Sequence, residues 1–495
     1  MTAIDDAAGA ASDNAGTTTG TAAGDWELVV GLEVHCELAT ETKIFCGCRN
    51  GFGDEPNTNI CPVCLGLPGS LPVLNRGAVE LAMRLGTALG CTVVPSVFHR
   101  KNYFYPDMPK DFQVSQYDRP INVDGRLVLP DGWVVGIERA HLEEDTGKST
   151  HVGVAGDSRA ARIHEAAHSL IDYNRAGVPL VEIVSRPDIR TAEQARAYVN
   201  ELRAILTATG ASDAKMEEGS MRVDANVSVH RPGQPFGTRC EIKNLNSVRS
   251  LGRAIEYEMG RQIELLEAGT RIVQETRHWD EDAGRTRPGR NKEEAEDYRY
   301  FQEPDLVPIE PGADWLAAVA ASLPSLPAER RQALAARTGV TPPDVALIVE
   351  RDLDGFVLDA LEAGGPADRL LVHATNNLVD GAGAMTPAGF AELARSEAGG
   401  ALTATQAKAV LAELVTTGGD PGAIAAAKGF EAMGDDALAA AVDAAIAADP
   451  AAWEKFKAGD RKVTGFFVGH VMKATAGKAD GKAVSALLAQ RAGGG

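Results

Sequence analysis

Two close pairs of cysteines fix one point of this chain before any secondary structure is considered. Cys46-Gly47-Cys48 is followed, after an interval of twelve residues, by Cys61-Pro62-Val63-Cys64. Four thiols spaced in this way are the sequence form of a tetrahedral zinc site, because each pair supplies two corners of the metal. Four thiolates leave no open position, so the expected role is structural. Such a centre can supply on the order of 10–16 kcal/mol of binding free energy to the folding of its loop. The loop follows closely on Gly31-Leu32-Glu33-Val34-His35, a strand-like run that presents a carboxylate and an imidazole. A stapled loop beside such a strand reads as the border of an active site rather than as a free-standing finger.

The remaining cysteines, Cys36, Cys91 and Cys240, make no even disulfide framework and suit a reducing, cytoplasmic setting. At 495 residues the chain exceeds one typical core, and two to four domains are expected. No run approaches the roughly 18 apolar residues that span a bilayer, so no membrane partner is expected. The start shows no basic segment followed by an apolar one, as a secretory signal would. Residues 1–24, rich in Ala, Gly, Thr, Asp and Ser, bury too little apolar surface to fold and read as a disordered tail. The net charge of −20 argues against a nucleic-acid partner only globally. From Trp453 onward eight basic residues face three acids, about +5, so a nucleic-acid contact is not excluded.

From Trp26 to about Pro311 the pattern is mixed: period-two strands, tight Gly/Pro turns, and helical stretches at Gly77–Leu89, Thr191–Thr209 and Val248–Leu266. Beyond Asp314 alanine-rich helical periodicity takes over, with breaks at Gly364-Gly365-Pro366, Asp380–Ala384, Gly399-Gly400 and Thr417–Gly422. The class is therefore α+β, with a helical connector to about residue 420 and a small helical domain after it.

Candidate chemistry lies in the mixed part. In Trp26–Glu37, Trp26, Leu28, Val30, Leu32 and Val34 alternate with Glu27, Gly31, Glu33, His35 and Glu37. In Arg222–His230 one face carries Arg222, Asp224, Asn226, Ser228 and His230; after a Pro/Gly turn, Thr238–Lys243 opposes Arg239, Glu241 and Lys243 to Cys240 and Ile242. A hairpin with acids, an amide and bases on one face suits Mg²⁺ with phosphate, and it equally suits a salt-bridged solvent face. Glu182 sits among Leu180, Val181, Ile183 and Val184 and would need a partner or a metal if buried. The run Glu138–Asp145 adds further acids and His141; strand alternation groups Glu143 with His141 and leaves Glu144 toward the following loop. Its tail, Thr146-Gly147-Lys148-Ser149, is no P-loop, because position 142 is leucine where that motif needs glycine. Aromatic and basic residues interleave in Arg100–Pro106 and Tyr298–Phe301, a pattern that can stack a base and hold a phosphate or simply rim a core. Taken alone, these residues also permit a metal-dependent phosphohydrolase or nuclease, or a non-catalytic zinc-bearing RNA-binding protein.

Several blocks together resemble one family. Gly31–His35, Arg100–Asp107, Ser115-Gln116-Tyr117-Asp118-Arg119-Pro120, His141–Lys148, Lys215–Asn226, Glu241–Ser247, Asp297–Phe301 and Gly465–Ala474 are similar to the B subunits of aspartyl/glutamyl-tRNA amidotransferases, the GatB family. The resemblance covers Trp26 to the end. It implies a cradle-like mixed-sheet catalytic domain over 25–312 that contains the zinc loop, a helical domain over 313–422, and a basic, tRNA-binding helical tail domain over 423–495. It implies a cytoplasmic ligase that works as a heterotrimer, together with the A subunit (a glutaminase) and the small C subunit. That enzyme converts misacylated Glu-tRNA(Gln) or Asp-tRNA(Asn) by ATP-dependent phosphorylation of the side-chain carboxylate and attack by ammonia. The family's Mg²⁺ ligands fall on Glu33, His35, Glu144, Glu182, Asp224 and Glu241, with Glu143 as the alternative to Glu144; Arg222 and Lys243 are candidates to contact the ATP phosphates.

Overall fold

The computed structural model describes residues 25–152, 167–289, 298–430, 435–458, 460, 462–475, 479 and 481–493. The tail expected over 1–24 lies outside them. In chain order the strands are β1 (Glu27–Glu37), β2 (Thr92–Val93), β3 (His99–Asn102), β4 (Phe112–Ser115), β5 (Asn122–Val128), β6 (Val134–Glu144), β7 (Lys148–Val152), β8 (His168–Asp172), β9 (Pro179–Ser185), β10 (Met221–His230), β11 (Cys240–Leu245), β12 (Thr276–Asp280), β13 (Arg285–Pro288) and β14 (Phe301–Gln302). All but β7 and β8, which pair with each other, share one sheet. Its main path runs β13-β12-β11-β10-β1-β9-β6-β4-β3-β14, with β5 bound to β6 and β2. The β11–β12 pair is parallel, so the sheet is mixed, as the family resemblance implies.

β1 sits at the middle of this sheet because its two faces differ. Leu28, Val30, Leu32, Val34 and Cys36 are buried on one side. They join a core with Met83 and Leu85 of α1 (Arg76–Ala88), Tyr198 and Leu202 of α2 (Ala192–Ala208), and Leu251 and Ile255 of α3 (Val248–Glu267). Each large apolar side chain buried there contributes about 1.5–3 kcal/mol. Local chemistry starts each helix: the Asn75 side chain accepts from Gly77 N, Thr191 from Gln194 N and Ser247 from Ser250 N. Gly86 on α1 is required by proximity, since a Cβ there would lie 2.0 Å from Asn122 Oδ1. The other face of β1 is left for polar work.

The contacts divide the chain between Ala328 and Glu329, later than the boundary read at 312/313. The reason is α4 (Ala313–Ala321): its alanines look like connector, yet Trp315, Leu316 and Val319 pack on the first core. The second unit is helical among the described residues, with one core from Leu334 to Ala425 and another from Leu438 to Leu488. Over 423–495 nine bases face eight acids, a net of +1, so the unit is not basic as a whole. The cations gather toward the end, and Arg491 is neutralised locally by Asp443 at 2.9 Å. Arg461, Lys478 and Asp480 lie outside the described residues.

One buried ion network holds the sheet edge in place. Glu258 on α3 is fully buried; it accepts from Arg261 Nε at 2.9 Å, Gln262 Nε2 at 2.9 Å and Thr286 Oγ1 at 3.1 Å. Burial works against its charge, but Arg261, Gln262 and Arg277 hold it below the ordinary glutamate range. Removing one partner of a buried pair leaves the others uncompensated. Glu258→Ala will therefore cost about 3–5 kcal/mol in urea unfolding. Because the folded value is depressed, that contribution is present above the usual glutamate pKa and fades as pH falls through the lowered one. An unchanged urea midpoint would remove Glu258 from the stabilising set.

Candidate active site

The strand register assembles the polar face of the sheet across five neighbouring strands. His35 pairs with Arg222 on one side and Glu182 on the other, and Glu33 stands opposite Asp224. Glu182 pairs onward with His141, and Asn226 with Glu241. Directly opposed side chains stand about 4.5–5.5 Å apart at Cβ, so residues far apart in sequence become one continuous surface. Above it lies a cavity of about 930 Å³, lined among others by Glu33, His35, Glu143, Glu182, Glu241 and Lys243.

One part of this floor is a compact donor group. His35 Nδ1 lies 3.0 Å from Glu143 Oε1, and single donor atoms of His35, Glu143 and Glu182 all fall within 4.8 Å of one another. His141 Nε2 closes the group at 3.4 Å from Glu182 Oε2. Burial would push the His35 imidazole down, but the Glu143 hydrogen bond and the charges of Glu182, Glu143 and Asp224 raise it to about 9. For His141 burial wins, and its pKa is lowered. Against the burial cost, Glu182 is held well below the ordinary range by the histidines, Arg139 and Lys101. The result is an ionised carboxylate between His35, whose charged form its acidic neighbours favour, and His141, whose charged form burial disfavours. This donor set fits a divalent cation that also takes substrate oxygens, and binding there must displace the His35 proton.

A second part faces it from β10 and β11. Their pairing shifts register between Val223 and Ala225, and Asn244, at φ 68°, lies in the irregular stretch. The shift aims Lys243 Nζ at Asp224 Oδ2 (2.6 Å) and Glu241 Oε1 (3.2 Å). Thr276 Oγ1 donates to the other Glu241 oxygen at 2.8 Å. Burial opposes the charge on Lys243, yet Asp224 and Glu241 keep its pKa raised. Glu33, between the two parts, accepts from Asn226 Nδ2 at 2.9 Å. Lys243 is thus a fixed point charge at the cavity wall, the kind of group that meets phosphate.

Three residues singled out from the sequence stand elsewhere. Glu144 points to the opposite side of β6 from Glu143, where its Oε1 accepts from Lys110 Nζ at 2.5 Å and Val114 N at 2.8 Å. Arg222 does not line the cavity; its guanidinium donates to Asp145 Oδ2 at 2.8 Å. Asp224 does not line it either, and acts through Lys243. Conversely, Gln116, Tyr117, Thr276, His278 and Tyr300 line the cavity without having been picked out as site residues. Tyr117 and Tyr300 stack at 4.1 Å, and the interleaved aromatic runs anticipated this only in kind.

The four cysteines converge as their spacing requires. Their sulfurs lie within 4.8 Å of one another, and Cys61 Sγ and Cys64 Sγ are 3.9 Å apart. A tetrahedral metal with bonds of about 2.3 Å sets its sulfurs roughly 3.8 Å apart, so the geometry and the soft donors fit zinc. Cys64 is drawn down to about 5, first by the Cys46 hydrogen bond and, after the opposing effect of burial, by Cys61 and the charge of Lys43.

Comparison with known proteins agrees with the blocks noted in the sequence. Residues 28–317 match the family described as the GatB/GatE catalytic domain, and residues 373–491 match the GatB domain. Proteins named as the B subunit of aspartyl/glutamyl-tRNA(Asn/Gln) amidotransferase are similar along nearly the whole chain. The one from Frankia casuarinae is 49% identical over 94% of this chain and 96% of its own. Those from Salinispora arenicola, 50% identical, and Nocardia farcinica, 49% identical, also align over 94% of this chain and over 97% and 95% of their own lengths.

Proposed function

We propose, from the premise that the chain belongs to the family of aspartyl/glutamyl-tRNA(Asn/Gln) amidotransferase B subunits, that the cavity over β10, β1, β9 and β6 is where a side-chain carboxylate is activated and amidated. The chain is accordingly part of a tRNA-dependent carbon–nitrogen ligase. The finer reading is a heterotrimer with the glutaminase (A) and small (C) subunits, acting on Glu-tRNA(Gln), Asp-tRNA(Asn) or both. Among the described residues no helix is long and apolar enough to cross a membrane. The cation-bearing final helices of 423–495 are read as a tRNA contact.

The observation that carries this reading is the juxtaposition of the His35–Glu143–Glu182 group with Lys243 in one cavity. A carboxylate is a poor acyl donor because amide formation would have to expel oxide. Phosphorylation by ATP supplies a better leaving group, and it demands neutralisation of crowded phosphate charge. Mg²⁺, where bound by His35, Glu143 and Glu182 with Glu33 close by, would supply part of that neutralisation. Lys243, locked by Asp224 and Glu241, meets the phosphoryl oxygens from the other wall, with Lys101 and Arg239 also lining the space. Glu182 stays ionised, so the floor does not lose its charge when a proton moves. The zinc centre is set aside from this chemistry as the staple of its loop.

The test uses the chain co-purified with the glutaminase and small subunits, supplied with ATP, glutamine and each misacylated tRNA in turn. Asp224→Asn and Glu241→Gln free Lys243 from its anchors and will lower ATP-dependent amide formation about 10–100-fold with tRNA binding retained. Activity equal to wild type in both variants, or ATP or RNA hydrolysis by the chain with no misacylated tRNA present, would sink the reading.

A further inference from the structure

Gln116, just after β4, is an amide with one end paired and, among the described residues, the other unpaired. It is 1% exposed, and its Oε1 accepts from Leu142 N at 3.0 Å and Ile121 N at 3.3 Å. Two backbone donors at one end decide the orientation of the amide, because only its oxygen can face them. Nε2 is thereby turned away from β6. Among the described residues this nitrogen is buried and has no hydrogen-bond partner. The side chain lines the same cavity as His141 and Glu143, and β4 reaches β6 at the Ser115–Glu143 pair. A buried donor left unmatched is costly, and such a group in a cavity calls for an acceptor on a ligand.

The surroundings say which acceptor. The charged donors that suit phosphate are Lys243, Lys101 and Arg239, whereas Gln116 is neutral and directly follows Ser115, the residue paired with Glu143. A neutral amide donor matches an acyl oxygen that gains charge only transiently better than it matches a phosphate dianion, for which charged donors are already at hand. We infer that Gln116 Nε2 is a catalytic donor to the acyl oxygen of the activated substrate. This rests on the amidotransferase reading above. In the step, the nitrogen lone pair of ammonia bonds to the carbonyl carbon of the acyl phosphate, and the π pair moves onto oxygen opposite Nε2. The C–O bond to phosphate then breaks, the carbonyl reforms, and the nitrogen's excess proton leaves with the departing phosphate. A rigid donor aimed where the charge develops needs no reorganisation at that moment.

The experiment compares Gln116→Glu and Gln116→Met with wild type in the assembled heterotrimer. Gln116→Glu keeps an oxygen for Leu142 and Ile121 but loses the donor; Gln116→Met keeps the volume and the neutrality. The expected result is a fall of about 10²–10³-fold in kcat for amide formation. KM for the misacylated tRNA and glutaminase turnover should stay near wild type, while Tm should fall in Gln116→Met, which leaves Leu142 N and Ile121 N without their acceptor. Either variant, folded, with kcat within about threefold of wild type overturns the assignment. So does loss of folding in both, which would make Gln116 an anchor for Leu142 and Ile121 only. A wild-type complex that forms no amide would instead sink the functional reading itself.

Discussion

Glu143→Gln will lower ATP-dependent amide formation on the order of 10²–10³-fold, and Glu144→Gln, one residue along, will not. Both are buried acids at the end of β6, and the difference is which way each points. Glu143 closes on His35 at 3.0 Å and shares the donor group with Glu182. Replacing it removes one of the charges that hold His35 protonated and one ligand atom of the floor. Glu144 serves Lys110 and Val114 N on the other face. Its loss strands a largely buried ammonium, so about 3–5 kcal/mol of stability should go. The measurement is paired: kcat with a Mg²⁺ titration, and urea unfolding, on both variants. A Glu144 variant that loses metal dependence while Glu143→Gln keeps it would reverse the assignment of faces.

That contrast also marks how far the sequence could be read. Alternation separates Leu32 and Val34 from Glu33 and His35 in β1, and Val223 and Ala225 from Arg222 and Asp224 in β10, because one face is core and a slip of one residue would bury charges. The same rule, applied to β6, favoured Glu143 with His141, although the family resemblance alone pointed to Glu144. What alternation does not carry is strand order. Nothing local states that β1 lies between β9 and β10, and only that order brings His35 beside both Glu182 and Arg222. Arg222 illustrates the loss: it shares a face with Asp224, yet Asp145, from a distant loop, takes its guanidinium out of the cavity. Gln116 was visible only as part of a motif, since no periodicity distinguishes an amide whose two ends meet different neighbours. The contact division falls later than the composition break for a simpler reason. Composition around α4 is dominated by alanine, and three apolar side chains decide where it packs.

If the cysteine loop holds the zinc its geometry fits, removing that metal is expected to have the broadest effect, because the loop is bound into the fold at several points. Val73 N donates to Phe45 O at 2.9 Å and Asn75 N to Ile44 O at 2.8 Å, just before Asn75 caps α1. Asn59 N donates to Asn174 Oδ1 at 2.8 Å, tying the loop to the turn that leads into β9. Beneath it lies Lys43, fully buried, whose ammonium donates to Tyr173 O at 3.2 Å and has no carboxylate within 4.0 Å among the described residues. A Cβ on Gly177 would meet Lys43 Cδ and Cys64 Cβ each at 3.7 Å, so lysine and cysteine share one small space. Four thiolates around a divalent ion carry a net charge of −2, which suits a buried cation; without the metal only Cys64 is drawn down to a thiolate, so that surplus is lost. Holoprotein treated with a thiol-reactive reagent should therefore release one zinc per chain to a chromogenic chelator. The stripped chain should lose Tm and become protease-sensitive between residues 46 and 75. Lys43→Met should weaken zinc retention about 10–100-fold with all four cysteines intact. A stripped chain with unchanged Tm and proteolysis would show that the loop folds without its staple, and unchanged zinc retention in Lys43→Met would remove the lysine from the charge balance.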